Sequence, residues 1–138
     1  MFKHIAAVAA VAGLLFSAAG CTTLADARAA KGSGQSRVYN ASFDQVWNAV
    51  PEALKDLGLK EEGFNKGSGY VVARDAKPMA SAIPDARLGD NVAIFVDKDD
   101  SAGKTSVEVV SKAALLINAM GSNWESRVLD KLSEKLPR

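Results

Sequence analysis

The chain contains a single cysteine, Cys21, which follows an apolar run at the N-terminus. A lone cysteine forms no disulfide within the chain, so the fold must rest on its hydrophobic core. After a basic start at residues 1–4, residues 5–16 read IAAVAAVAGLLF. This run has the length of a signal-peptide core and is shorter than the roughly 20 apolar residues of a membrane-spanning helix. We therefore expect residues 1–20 to be a signal peptide.

The residues around the cysteine resemble the lipobox of bacterial lipoproteins. Ala18, Ala19 and Gly20 are small residues in front of Cys21, with Ala18 standing where that family favours Leu. The resemblance implies that signal peptidase recognises these three residues and that Cys21 is acylated on its sulfur and its new N-terminus. Several acyl chains give stable anchoring in a membrane. Because Thr22 is not Asp, the resemblance also implies the outer membrane. The alternative is an ordinary secreted protein with an incidental cysteine.

The segment after the cysteine is rich in small residues. Residues 22–36 read TTLADARAAKGSGQS, with one Leu and no aromatic residue. Such a composition predicts a flexible tether, so we assign residues 21–36 to the acylated cysteine and its tether. Residues 24–31 could form only a weak isolated helix. Residues 37–138 are then the globular domain.

Charge and histidine content exclude several classes of function. The formal net charge is +1, from 17 basic and 16 acidic side chains. Because these charges are spread along the chain, we expect no nucleic-acid partner. The one histidine, His4, belongs to the predicted signal peptide, which excludes histidine-based triads and the usual zinc ligands from a processed chain. The sequence also lacks a glycine-rich phosphate-binding motif. We expect no enzyme, no metal and no cofactor.

Two amphipathic helices are predicted, each beginning with a capping box. Ser42 and Gln45 form the first box, and Ser122 and Glu125 form the second. Apolar residues follow at helical spacing, and Gly58 is placed to end the first helix. The two apolar stripes are Phe43, Val46, Trp47, Val50, Leu54 and Leu57, and then Trp124, Val128, Leu129, Leu132 and Leu136. Trp47 and Trp124 are therefore expected in the core rather than at a ligand platform.

Five segments rich in β-formers complete the pattern. They are residues 37–40, 59–64, 69–74, 91–96 and 105–110. The element order is β-α-β-β-β-β-α. This order predicts an α+β fold with a mainly antiparallel, four- to five-stranded sheet and two helices on one face.

A long segment between the third and fourth strands has no clear period. Residues 75–90 read DAKPMASAIPDARLGD and contain two prolines. Loops of this length are often functional, and apolar side chains within them must be buried on something. We expect Met79, Ile83 and Leu88 to contact a partner.

The pattern resembles small Gram-negative envelope lipoproteins of a domain-of-unknown-function family, and the helix-grip domains of BamC. The resemblance rests on FDQVW at residues 43–47, LG at 57–58, GYVV at 69–72 and GSNW at 121–124. It implies a non-enzymatic outer-membrane lipoprotein that acts in the periplasm as an interaction or structural module, with an envelope protein as partner. The alternative is a binding domain for a small apolar ligand, which requires an enclosed pocket between sheet and helices.

Overall fold

The computed structural model describes residues 24–75, 90–99, 103–112 and 123–137. These residues form three helices and five strands. In chain order they are α1 (Leu24–Ala29), β1 (Gln35–Tyr39), α2 (Phe43–Asp56), β2 (Leu59–Asn65), β3 (Tyr70–Asp75), β4 (Asn91–Lys98), β5 (Thr105–Lys112) and α3 (Trp124–Lys135). The predicted α+β fold is confirmed.

The strands form one antiparallel sheet in the order β1-β5-β4-β3-β2. Consecutive strands from β2 to β5 pair as a meander. β1 pairs instead with β5, with Arg37 opposite Val107. The first and last strands of the described residues are therefore neighbours, and β1 and β2 are the two edges of the sheet that those residues form.

Helices α2 and α3 cover one face of the sheet. The capping box of α2 is present: the Ser42 hydroxyl accepts from the Gln45 amide at 3.2 Å, and the Gln45 side chain accepts from the Ser42 amide at 3.0 Å. Pro51 lies inside this helix. Gly58 follows its end with φ of 74°, in the left-handed region that favours glycine. The predicted start and end of the first long helix are thus confirmed.

The start of α3 differs by one residue from the expected capping box. Asn123 is the N-cap, and its side-chain oxygen accepts from the Ser126 amide at 3.5 Å. The Glu125 carboxylate accepts a hydrogen bond at 3.3 Å from the backbone amide of Ser111 on β5. It therefore binds the sheet instead of the start of its own helix. Ser122, the expected cap, lies outside the described residues.

The main core fills the space between these two helices and the sheet. Trp124 is buried, and its indole N–H donates to the Asp90 carboxylate at 3.2 Å. The other members of its stripe are buried too, namely Val128, Leu129, Leu132 and Leu136. Trp47 is partly buried and stacks on Phe43 with the ring centroids 5.8 Å apart. Both tryptophans therefore belong to the packing of the helices.

Helix α1 covers the opposite face of the sheet. Ala27 is fully buried there against Ala93, Phe95 and Val110. This arrangement differs from the flexible tether expected for residues 21–36 and adds a third helix to the two expected on one face. A six-residue helix is marginal alone, and packing on an apolar sheet face supplies the stability that its sequence lacks.

Candidate functional site

Residues 24–34, which we call the N-terminal arm, are fastened to three strands of the sheet. The Arg28 guanidinium lies 4.2 Å from the ring centroid of Tyr70 on β3. The Lys31 ammonium lies 5.3 Å from the ring centroid of Phe95 on β4 and 3.0 Å from the Asp97 carboxylate. Cations above aromatic faces are attracted by the ring quadrupole. These contacts hold the arm across the centre of the second sheet face.

The third attachment is a buried carboxylate on β5. The Gly32 amide donates to both oxygens of Glu108, at 2.8 and 2.9 Å. The Gly34 amide donates to the second of these oxygens at 3.2 Å. A buried carboxylate is costly unless it accepts hydrogen bonds, and bonds from N–H groups to an ionised acceptor are among the stronger ones. The hydrogen bonds to Glu108 thus hold the backbone between α1 and β1 in a defined position.

Only glycine fits one position of this path. A Cβ atom on Gly34 would overlap the backbone carbonyl of Val109. Gly32 has φ of 96°, in the left-handed region. The sequence signals were present: a glycine pair follows α1, and one acidic residue interrupts the valines of VEVV at residues 107–110. Neither signal alone identifies its partner, because the two segments are far apart in the chain.

A second feature is an open cleft of about 590 Å³, which we call the β1–α3 cleft. It is lined by Arg37, Val38, Tyr39, Asn40, Asp130, Ser133, Glu134 and Pro137. One wall is therefore the edge strand β1, and the other is the C-terminal half of α3. Sequence patterns did not indicate this cleft, because it arises from the pairing of β1 with β5.

Polar contacts fix the base of the cleft. The Arg37 guanidinium donates to Asp130 at 3.0 Å and to the Ser133 hydroxyl at 2.9 Å. The Tyr39 hydroxyl donates to the Leu129 carbonyl at 2.6 Å. Burial raises the pKa of Tyr39 above its usual range, although Ser133 and Arg37 act in the opposite direction. The side chains that join β1 to α3 are thus held in defined positions.

The sequence-predicted site residues lie outside the described part of the chain. They are Ala18, Ala19, Gly20 and Cys21 of the lipobox-like motif, and Met79, Ile83 and Leu88 of the long loop. Within the described ranges, the side chains form no group of three or more acidic, histidine or cysteine residues suited to a metal ion. None of the helices in that part of the chain is long and apolar enough to span a membrane.

Comparison with known proteins gives no family assignment. The sequence matches no protein-family model and has no significant match among curated proteins. The features that bear on function are therefore the N-terminal arm, the β1–α3 cleft and the N-terminal sequence.

Proposed function

We propose that this chain is a non-enzymatic lipoprotein of the outer membrane, acting in the periplasm as an interaction or structural module. The cysteine that follows the apolar N-terminal run supplies the anchor, with acyl chains on Cys21. The partner is another protein of the cell envelope. The observation that carries the proposal is the position of the N-terminal arm directly after that cysteine.

The arm limits the distance between anchor and domain. Helix α1 begins at Leu24, three residues after Cys21. An extended chain spans at most about 3.6 Å per residue, so the two Cα atoms are at most roughly 11 Å apart. With the arm held by Glu108, an acylated Cys21 keeps the domain close to the bilayer surface. Such placement suits a protein that meets its partners at the membrane.

Packing supports an interaction role over the binding of a small apolar ligand. The seam between the sheet and α2 and α3 is occupied by close-packed buried side chains, including Val46, Val50, Ile94, Leu129 and Leu132. The β1–α3 cleft is open and carries charged residues on its walls. This arrangement favours contact with another macromolecule.

Acylation is tested by replacing the cysteine. Cys21→Ser should abolish incorporation of an alkyne-labelled fatty acid and move the protein out of the membrane fraction. Glu62→Gln, an exposed change on β2 outside the cleft, is the matched control and should leave both results unchanged. Mass spectrometry that finds native protein with an unmodified Cys21 would overturn the proposal.

The choice of membrane is tested separately at the next residue. Asp after the acylated cysteine tends to retain Gram-negative lipoproteins in the inner membrane. Thr22→Asp should therefore shift the protein from the outer-membrane to the inner-membrane fraction on a sucrose gradient, and Thr22→Ser should not. Recovery of the unchanged protein with the inner membrane would contradict the outer-membrane assignment.

A further inference from the structure

The two edges of the sheet differ in how they are protected. β2 has a register shift between Glu61 and Gly63, and charged side chains at Lys60, Glu61 and Glu62. Bulges and charges of this kind prevent further strands from adding to an edge. β1 pairs with β5 without a register shift, and the side chain of its one charged residue, Arg37, is engaged by α3. Within the described residues, β1 is the less protected edge.

The hydrogen-bond pattern shows which backbone groups of β1 point outward. The Val96 amide donates to the Gly69 carbonyl at 2.7 Å, so the backbone groups of Val96 point toward β3. Val96 lies opposite Val107, whose groups must then point the other way, toward Arg37 on β1. Because successive residues of a strand alternate, the N–H and C=O of Val38 point away from the sheet.

We propose that the β1–α3 cleft binds an extended segment of a partner protein, which adds to β1 as a further strand. The outward backbone groups of Val38 would pair with the segment, and α3 would form the wall beside it. Strand addition of this type takes its affinity from main-chain hydrogen bonds and its specificity from side-chain contacts. The Val38 side chain is 51% exposed and offers apolar contact. This inference rests on the proposed function and names the surface that performs it.

Charge on the cleft identifies the chemistry of the segment. The side chains of Asp130 and Glu134 are 68% and 64% exposed, and Arg37 is the one cation among the lining residues. Arg37 pairs with Asp130 at 3.0 Å, and Lys131 pairs with Glu134 at 2.8 Å. The lining residues together nevertheless carry two carboxylates and one cation, and this net negative charge favours a segment that carries Lys or Arg. A second copy of this chain is a poorer match, because its own cleft lining carries the same net negative charge.

The test combines photocrosslinking with a change at the strand edge. Asn40, an exposed lining residue at the end of β1, is replaced by photoreactive p-benzoylphenylalanine in the full chain, and native membranes are irradiated. We expect a crosslink to a Lys- or Arg-containing segment of another protein. Val38→Pro removes the outward N–H without removing a bond to β5, so it should reduce the crosslink about tenfold or more. Val38→Thr keeps that N–H and should retain the crosslink.

A second change keeps the test valid if Val38→Pro fails to fold in a thermal melt. Glu134→Lys on the exposed wall should weaken the same crosslink severalfold by repelling a basic segment. A crosslink to this chain's own sequence, a crosslink unaffected by all of these changes, or no crosslink would overturn the inference. Acylation of Cys21 is measured on the same samples. Its absence would contradict the proposed function while leaving the crosslinking result intact.

Discussion

The carboxylate of Glu108 accepts a hydrogen bond at 3.2 Å from the amide of Gly34, a residue 74 positions earlier in the chain. The same carboxylate holds Gly32 by two shorter bonds. A residue on β5 therefore holds the N-terminal arm in place. The N-terminal arm, which the sequence predicts to be part of a flexible tether, therefore belongs to the folded domain.

Replacing this carboxylate should release the arm. Glu108→Gln keeps the size of the side chain but substitutes an N–H donor for one of the two acceptor oxygens. We expect a loss of about 1–3 kcal/mol in the free energy of unfolding and faster trypsin cleavage after Arg28 and Lys31. Glu62→Gln, at an exposed position of β2, should change stability by less than about 0.5 kcal/mol. Equal cleavage rates in the two variants would show that Glu108 does not hold the arm.

The close approach at Gly34 gives a second prediction. Gly34→Ala places a methyl group on the Val109 carbonyl and should cost about 1–3 kcal/mol through forced displacement of the backbone. Gly67→Ala is the matched control. Its added Cβ would lie 3.4 Å from the nearest atom, the side-chain oxygen of Asn65. Thermal and denaturant melts of both variants measure the difference, and similar losses would mean that the sheet accommodates a side chain at residue 34.

Tyr39 should make the domain sensitive to alkaline pH. Burial raises the pKa of its phenol in the folded state above the usual value of about 10. Its contribution to stability is therefore complete below about pH 10 and is lost as pH rises through the folded pKa. Melts of the wild type should fall more steeply above about pH 10 than melts of Tyr39→Phe.

At neutral pH the same substitution should have a small effect. The Leu129 carbonyl keeps a second donor, the Ser133 hydroxyl at 3.0 Å, when the Tyr39 hydroxyl is removed. We expect Tyr39→Phe to cost about 0.5–1.5 kcal/mol. Parallel alkaline slopes for the two proteins would contradict the assigned role of this phenol.

The helix caps give the fourth prediction. Ser42→Ala removes the hydroxyl that accepts from the Gln45 amide, although it keeps the backbone amide that donates to the Gln45 side chain, and it should cost about 0.5–2 kcal/mol. Asn123→Ala should fall at the lower end of that range, because its bond to Ser126 is long. Ser122→Ala provides the comparison at the cap expected from sequence. If it destabilises the protein more than Asn123→Ala, the observed start of α3 is wrong.

Local patterns in the sequence were sufficient for most of the fold. The stripe from Trp124 to Leu136 and the capping box at Ser42 depend on residues a few positions apart, and both are present in the structure. The order of strands from β2 to β5 follows from their sequence as a meander. These elements were predictable because the interactions that define them are local.

Other features depend on contacts between distant residues. The helix α1 is too short to be stable alone, and its burial depends on Phe95 and Val110, far along the chain. The cap of α3 was ambiguous because Ser122 and Asn123 are both good caps. The choice of Asn123 accompanies a bond from Ser111 to Glu125 that only the folded sheet provides. The β1–α3 cleft likewise depends on the pairing of β1 with β5.

The contacts of the N-terminal arm with β5 also bear on the order in which the chain folds. In the proposed export to the periplasm, the N-terminal residues would cross the inner membrane first, and Glu108 and Val110 would follow only after most of the chain. Until then the arm has no binding surface, and closing so long a loop carries an entropic cost. If Cys21 is acylated, the processing enzymes therefore meet an undocked N-terminus. In the proposed lipoprotein, the arm would then close onto the sheet as a late step of folding, after the anchor is in the membrane.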